Sequence, residues 1–134
     1  MFNDFTQNKS YFKTTWEDFE KVLNKRVLEL QYRNSMVKAT EDDKLIGWGT
    51  YTIFKDYLGN DRVLIHQVLT KKEDSFKKSI EEAVIREIQN YIKKTLKLDT
   101  CFILCPDSDS NKRSLLMKLD FKKSKHFWYE NNLK

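Results

Sequence analysis

The stretch SFKKSIEEAVIREIQNYIKKTLKL, residues 75–98, decides the fold class. Ile80, Val84, Ile88, Tyr91, Ile92 and Leu96 recur at the spacing that puts them on one face of an α-helix, and the opposite side is charged. Asp74 or Ser75 can accept from the first backbone N–H groups of such a helix. Glu81 and Glu82 near its start, with Lys93, Lys94 and Lys97 near its end, complement the helix dipole. A helix with one apolar face needs a partner layer, and the flanking segments supply a sheet.

Upstream, Arg62–Thr70 alternates, with Val63, Ile65, Gln67 and Leu69 on one face of a strand and Leu64, His66 and Val68 on the other. Leu45–Phe54 alternates too, placing Gly47 and Gly49 on one face and offering Trp48, Tyr51 and Ile53 as strand formers. Gly59 and Asn60 turn the chain between them, so these two strands pair antiparallel. Met36–Ala39 predicts a further short strand, joined by a turn at Glu41–Lys44. Ahead of it, Thr15 can cap a helix with Asp18 three residues on, and Trp16, Phe19, Leu23, Val27 and Leu30 form a stripe expected to face the core. Downstream, Cys101–Cys105 reads as a short apolar strand, Pro106–Asn111 as a loop, Lys112–Leu119 as a shorter helix and Phe121–Glu130 as a strand closing the sheet. The expected class is α/β in the α+β sense: a mixed, mostly antiparallel sheet flanked by helices.

The 134 residues suit a single domain spanning 1–134, and with three glycines and one proline no linker divides them. Apolar residues at 40% and aromatics at 13% are too many for a disordered chain. No apolar run approaches the roughly 18 residues that cross a bilayer, and Met1–Ser10 is too polar for a secretory signal, so a cytoplasmic protein without membrane contact is expected. Cys101 and Cys105 share a strand face but lie about 13 Å apart along it, too far for a disulfide. Free thiols suit a reducing compartment. A metal site would need more ligands than His66 and His126 add, and none is expected. The net charge of +5 is interspersed. Lys71–Lys72, Lys77–Lys78, Lys93–Lys94 and Lys122, Lys123 and Lys125 read first as solvated surface, although such clusters can meet phosphates and leave nucleic-acid binding as a lesser alternative.

The order strand, strand, strand, long helix, strand, short helix, strand resembles the GNAT acetyltransferase superfamily. Lys44-Leu45-Ile46-Gly47-Trp48-Gly49 is similar to the family's third strand and Ile65-His66-Gln67-Val68 to its fourth, which carries substrate and cofactor. Leu115-Leu116-Met117-Lys118-Leu119-Asp120-Phe121-Lys122-Lys123 is similar to the late helix and the Gly-Phe turn after it. Together these cover roughly residues 36–130. The resemblance implies acetyl-CoA as cofactor and an amine as acceptor.

In the family a signature of Arg or Gln, two residues, Gly, one residue, then Gly or Ala opens the long helix, and its backbone amides cradle the pyrophosphate. Here those positions fall on Phe76, Ser79 and Glu81, and residues 61–134 contain no glycine, so the motif is degenerate. The tyrosine that often serves as general acid is replaced by Leu116, and Asp120 stands where the turn has glycine. The resemblance assigns cofactor contact to Val68 and to the amides of Lys77, Lys78 and Ser79. His66 falls where many members carry a strand carboxylate that accepts the amine proton. An imidazole, with an ordinary pKa near 6.5, can do that work; a half-buried structural histidine is the alternative.

Asp107 and Asp109 lie in a Ser/Asp/Asn-rich loop and read as satisfying turn backbone. Phe127, Trp128 and Tyr129 invite comparison with a base-stacking platform, but only alternate strand residues share a face, which favours core plus one exposed ring. Two functions stay open: a divergent N-acyltransferase moving acetyl from acetyl-CoA to an amine, and a catalytically inactive GNAT-fold protein that binds a protein partner as regulator or inhibitor.

Overall fold

A computed structural model describes residues 15–28, 36–71 and 78–133. In chain order these form α1 (Trp16–Leu28), β1 (Met36–Glu41), β2 (Lys44–Lys55), β3 (Asp61–Ile65), β4 (Leu69–Thr70), α2 (Lys78–Lys94), β5 (Phe102–Ile103) and α3 (Ser110–Lys118). The strands follow the order β1-β2-β3-β5, with β4 also on β2. Every pairing is antiparallel except β3 with β5. This is the mixed, mostly antiparallel sheet with helices that alternation and helical spacing predict. The chain divides into two compact units, one up to Leu104 and one from Cys105.

In the first unit α2 packs on β2, β1 and β4. Val63, Ile65, Val84, Ile85 and Ile88 are buried almost completely, and each such side chain contributes about 1.5–3 kcal/mol relative to exposure. Ile85 widens the buried helix face beyond the stripe read from sequence. Two glycines let the helix come close: a Cβ at Gly49 would lie 2.6 Å from Val84 Cγ1, and one at Gly47 would lie 2.9 Å from Ile80 Cγ2. Tyr51 continues this face, its ring 6.1 Å from that of Tyr91. The helix stops at Lys94, short of the expected Leu98. Its last turn loosens as Leu96 N–H donates five residues back to Tyr91 and Leu98 N–H six back to Ile92, with Lys97 left-handed at φ 55°.

α1 begins as its sequence predicts, with Thr15 Oγ1 accepting from Asp18 N–H at 3.2 Å. Phe19 lies against Trp48 on the sheet face opposite α2, with ring centroids 5.9 Å apart. Trp16 remains exposed, so the stripe is only partly covered; Leu30 lies outside the described residues. Asp42 and Asp43, both left-handed, join β1 to β2. Between β2 and β3 the Asp56 carboxylate accepts from the N–H groups of Leu58 and Asn60 and pairs with Arg62. These bonds, led by the Asn60 N–H, hold the Asp56 carboxyl below the usual Asp range.

In the second unit Asp109 is the N-cap of α3, accepting from Lys112 N–H at 2.9 Å, the backbone role read for this loop. α3 ends in a Schellman motif: Phe121 N–H reaches Leu116 O, Asp120 N–H reaches Met117 O, and Asp120 takes φ 67°. Asp120 therefore adopts the backbone conformation for which this turn ordinarily uses glycine. No strand forms over Phe121–Glu130, which corrects the expected closing strand. Three lysines interrupt the apolar alternation there, and Lys123 Nζ sits 5.2 Å over the Phe127 ring, a local cation–π contact in place of cross-strand packing. Trp128 and Tyr129 are 87% and 94% exposed and Phe127 is exposed too, so the expected arrangement of core rings with one exposed does not hold. Among the described residues no helix is long and apolar enough to cross a membrane, and no cluster of three His, Cys, Asp or Glu is placed to hold a metal.

Candidate functional site at the break in the sheet

The expected strand Arg62–Thr70 is interrupted. β2 pairs Tyr51 with Ile65 on one side of the break and Trp48 with Leu69 on the other. Between those rows β2 has two residues, Gly49 and Thr50, while the partner strand has three, His66, Gln67 and Val68. His66 N–H donates to Thr50 O at 2.8 Å, and Val68 Cγ2 lies 3.3 Å from a Cβ built at Gly49. Gln67 is therefore the additional residue of a β-bulge.

The bulge changes which side chains share a face. Val63, Ile65 and Val68 all belong to the α2 side, whereas continuous alternation predicts Val68 beside His66. One extra residue flips the phase of everything after it. Val68 is consequently buried core against Gly49.

The ladder between β3 and β5 spans two rows, Leu64 with Phe102 and Ile65 with Ile103, and then ends. Beyond Ile65 the described ladder continues on β2, through β4 and Lys71, so the sheet forks where His66, Gln67 and Val68 sit. His66 lies on the face opposite α2, half-buried, with Nε2 2.6 Å from Thr52 Oγ1. Tyr51↔Ile65 pairing makes Thr52 the diagonal neighbour of His66 on that face. Thr52 carries no motif; it becomes legible only once a hairpin register sets it diagonally across from His66.

The other predicted site residues gather less completely. Ser79 is exposed in the first turn of α2, and Lys78 is that helix's first residue. Lys77 and Phe76 lie outside the described residues. Ile80, in the same turn, packs over Gly47 opposite Thr70 of β4, which sets the N-terminal end of α2 beside the strand that leaves the fork. The first-turn N–H groups of a helix have no partners within it and favour anions. Glu81 in that turn puts a carboxylate near the same end and opposes this preference. Leu116 is buried in α3 and supplies no acid. Neither cysteine is in a disulfide; both are half-buried, and burial pushes the Cys101 thiol above its ordinary value.

No family model matches the chain, and no curated protein matches it in sequence. Solved structures do match. One described as a possible acetyltransferase from Clostridium difficile 630 superposes with a TM-score of 0.71 at 16% identity, covering 92% of this chain and 80% of the other. An aminoglycoside acetyltransferase from an uncultured soil metagenomic sample gives 0.60 at 15% identity, covering 92% and 79%. A ribosomal-protein-alanine N-acetyltransferase from Brucella melitensis biovar Abortus 2308 gives 0.57 at 12% identity, covering 73% and 72%.

Proposed function

We propose that this chain, which has the GNAT acetyltransferase fold, is a divergent N-acetyltransferase that moves an acetyl group from acetyl-CoA to an amine. The observation that carries the reading is His66: an imidazole set on a bulge where the sheet forks, hydrogen-bonded to Thr52.

The N-terminal end of α2 suits a pyrophosphate, with amides from Lys77, Lys78 and Ser79 as donors and Val68 behind the fork. Glu81 makes this hold weaker than that of a glycine-lined turn. Acetyl-CoA, when bound, supplies the thioester whose C–S bond breaks. His66 takes the proton of the attacking amine as the new N–C bond forms, the departing CoA thiolate takes a proton from water, and the imidazolium returns its proton to water, which restores the base. The aminoglycoside and protein-alanine activities of the similar folds make aminoglycosides and alanyl peptides the first acceptors to try.

Titration with acetyl-CoA should raise the melting temperature progressively with ligand concentration. No shift at millimolar ligand would overturn the reading. It would select the second one, a binder of a protein partner, which the glycine-free chain after residue 60 and the apolar Leu116 favour. With an acceptor in hand, His66→Ala should lower kcat by about 10² to 10⁴ and leave acetyl-CoA affinity nearly unchanged.

A further inference from the structure

We propose that residues 122–129 form a second site, which binds single-stranded nucleic acid: its lysines meet phosphates and its rings stack on bases. The site is independent of the acetyltransferase reading, since it uses neither His66 nor the N-terminal end of α2.

Phe127, Trp128 and Tyr129 would make a poor stacking surface on a strand, where alternate rings turn into the core. Here neither the strand nor the core placement exists. No strand forms over residues 121–130, every residue from 122 to 133 is exposed, and Trp128 and Tyr129 are almost wholly so. Lys123 Nζ lies over one face of Phe127, 5.2 Å from its centroid, which leaves Trp128 and Tyr129 as the freer π-faces and holds a cation on the ring beside them. Ordinary solvation accounts for the lysines of this segment but not for three adjacent exposed rings.

The charge selects the class of partner. Residues 121–134 carry four lysines against one carboxylate side chain, Glu130. Among the described residues no ion pair engages Lys122, Lys123 or Lys125. Like charge opposes pairing of this segment with a second copy, and a polyanion suits it. An acidic peptide would satisfy the lysines and leave the rings in water. An anionic membrane would need an apolar face that sinks as one, whereas this segment forms no helix, and His126 on one side of the rings and Glu130, Asn131 and Asn132 on the other are polar. A single strand supplies both components, phosphates for the lysines and unstacked bases for the rings; a duplex keeps its base faces within its own stack.

Fluorescence anisotropy of a labelled oligo(dT) about 20 nucleotides long, longer than a typical single-strand site, tests this when titrated with the intact chain over a series of salt concentrations. Wild-type protein should bind at low salt, with an affinity that falls as salt rises. Trp128→Ala should weaken binding roughly 5-fold or more, the loss of one base stack, whereas Trp128→Tyr, which keeps a ring, should retain most of it. Lys122→Gln combined with Lys125→Gln should lower the slope of log affinity against log salt by about 1.4, ~0.7 for each phosphate contact. These positions are exposed, so every variant should keep the wild-type urea midpoint.

No binding of oligo(dT) at low salt, an affinity indifferent to salt, or a Trp128→Ala protein that binds like wild type overturns the proposal. Binding to phosphatidylserine vesicles in place of oligo(dT) would assign the segment to a membrane, and a dimer that forms with rising protein concentration and is lost in Trp128→Ala would assign it to a second copy; either result also overturns it.

Discussion

Gly47 and Gly49 on β2 contrast with Asp42, Asp43, Lys97 and Asp120 elsewhere. The two glycines have ordinary strand backbone and are needed for room, because α2 presses Ile80, Val84 and Ile88 to within contact of where their Cβ atoms would be. The other four residues have φ between 51° and 67°, the region in which glycine is the usual occupant, yet none is glycine. Gly59, at φ 84° with nothing within 4 Å, is the one left-handed glycine among the described residues. The chain thus spends glycine mainly where space is short and tolerates strain where only backbone conformation is at issue. The asymmetry is physical: a left-handed non-glycine residue costs about 1–2 kcal/mol, less for Asp, whereas a methyl forced into a packed helix–sheet contact moves a whole element.

The largest test is Gly49→Ala, which should destabilise by about 1–3 kcal/mol in urea unfolding, because Val84 lies 2.6 Å from the new methyl. An unchanged midpoint would mean that α2 can lift, and the contrast between space and conformation would collapse. Next is Ser79→Gly. If close approach limits pyrophosphate binding at the α2 N-terminus, acetyl-CoA should bind more tightly by about 1 kcal/mol, roughly fivefold in Kd by calorimetry. No gain would make Glu81, not Ser79, the limiting feature. Asp120→Gly should then stabilise by about 0.5–1 kcal/mol, measured as a rise in the urea midpoint, since it relieves a left-handed residue without touching the core.

The smallest effect concerns the turn with the left-handed glycine, where Asp56 organises the backbone. Its folded-state pKa is below its unfolded value, so its contribution is complete above about pH 4 and is lost as pH falls through the lower, folded value. Asp56→Asn should flatten the stability–pH curve in that acid window only. A difference persisting unchanged from pH 7 to pH 3 would assign the turn's strength to Gly59 alone.

Much of the fold was legible because its signals are periodic. α2 announced itself by spacing, β2 by alternation, the α1 N-terminus by Thr15 and Asp18, and the backbone-satisfying role of Asp109 by its loop composition, although not that it caps a helix starting at Ser110. The bulge was not legible. In Val63-Leu64-Ile65-His66-Gln67-Val68-Leu69 apolar residues occupy both phases of the alternation, so an added residue leaves no visible interruption. Val68 was misplaced for that reason, and Thr52 passed unremarked because its significance depends on cross-strand register rather than on neighbours in sequence. Phe121–Glu130 misled in the opposite direction: its aromatics have strand propensity, but propensity expresses a fit to a half-buried surface, and these rings are exposed. The candidate residue His66 and the glycine-poor start of α2 could be read from the sequence; the hydrogen bond that joins His66 to Thr52 of β2 could not.

The bulge also separates two kinds of change that a lineage of such chains could undergo. Removing Gln67 would restore an unbroken hairpin while leaving Ile65 and Val68 both facing α2, since each already sits opposite its own β2 partner. A single-residue deletion here would therefore spare the hydrophobic interior and straighten only the backbone that carries the histidine. What distinguishes an unbroken strand from the bulged one beside His66 is, in this chain, one inserted residue, and its gain or loss leaves the core in place.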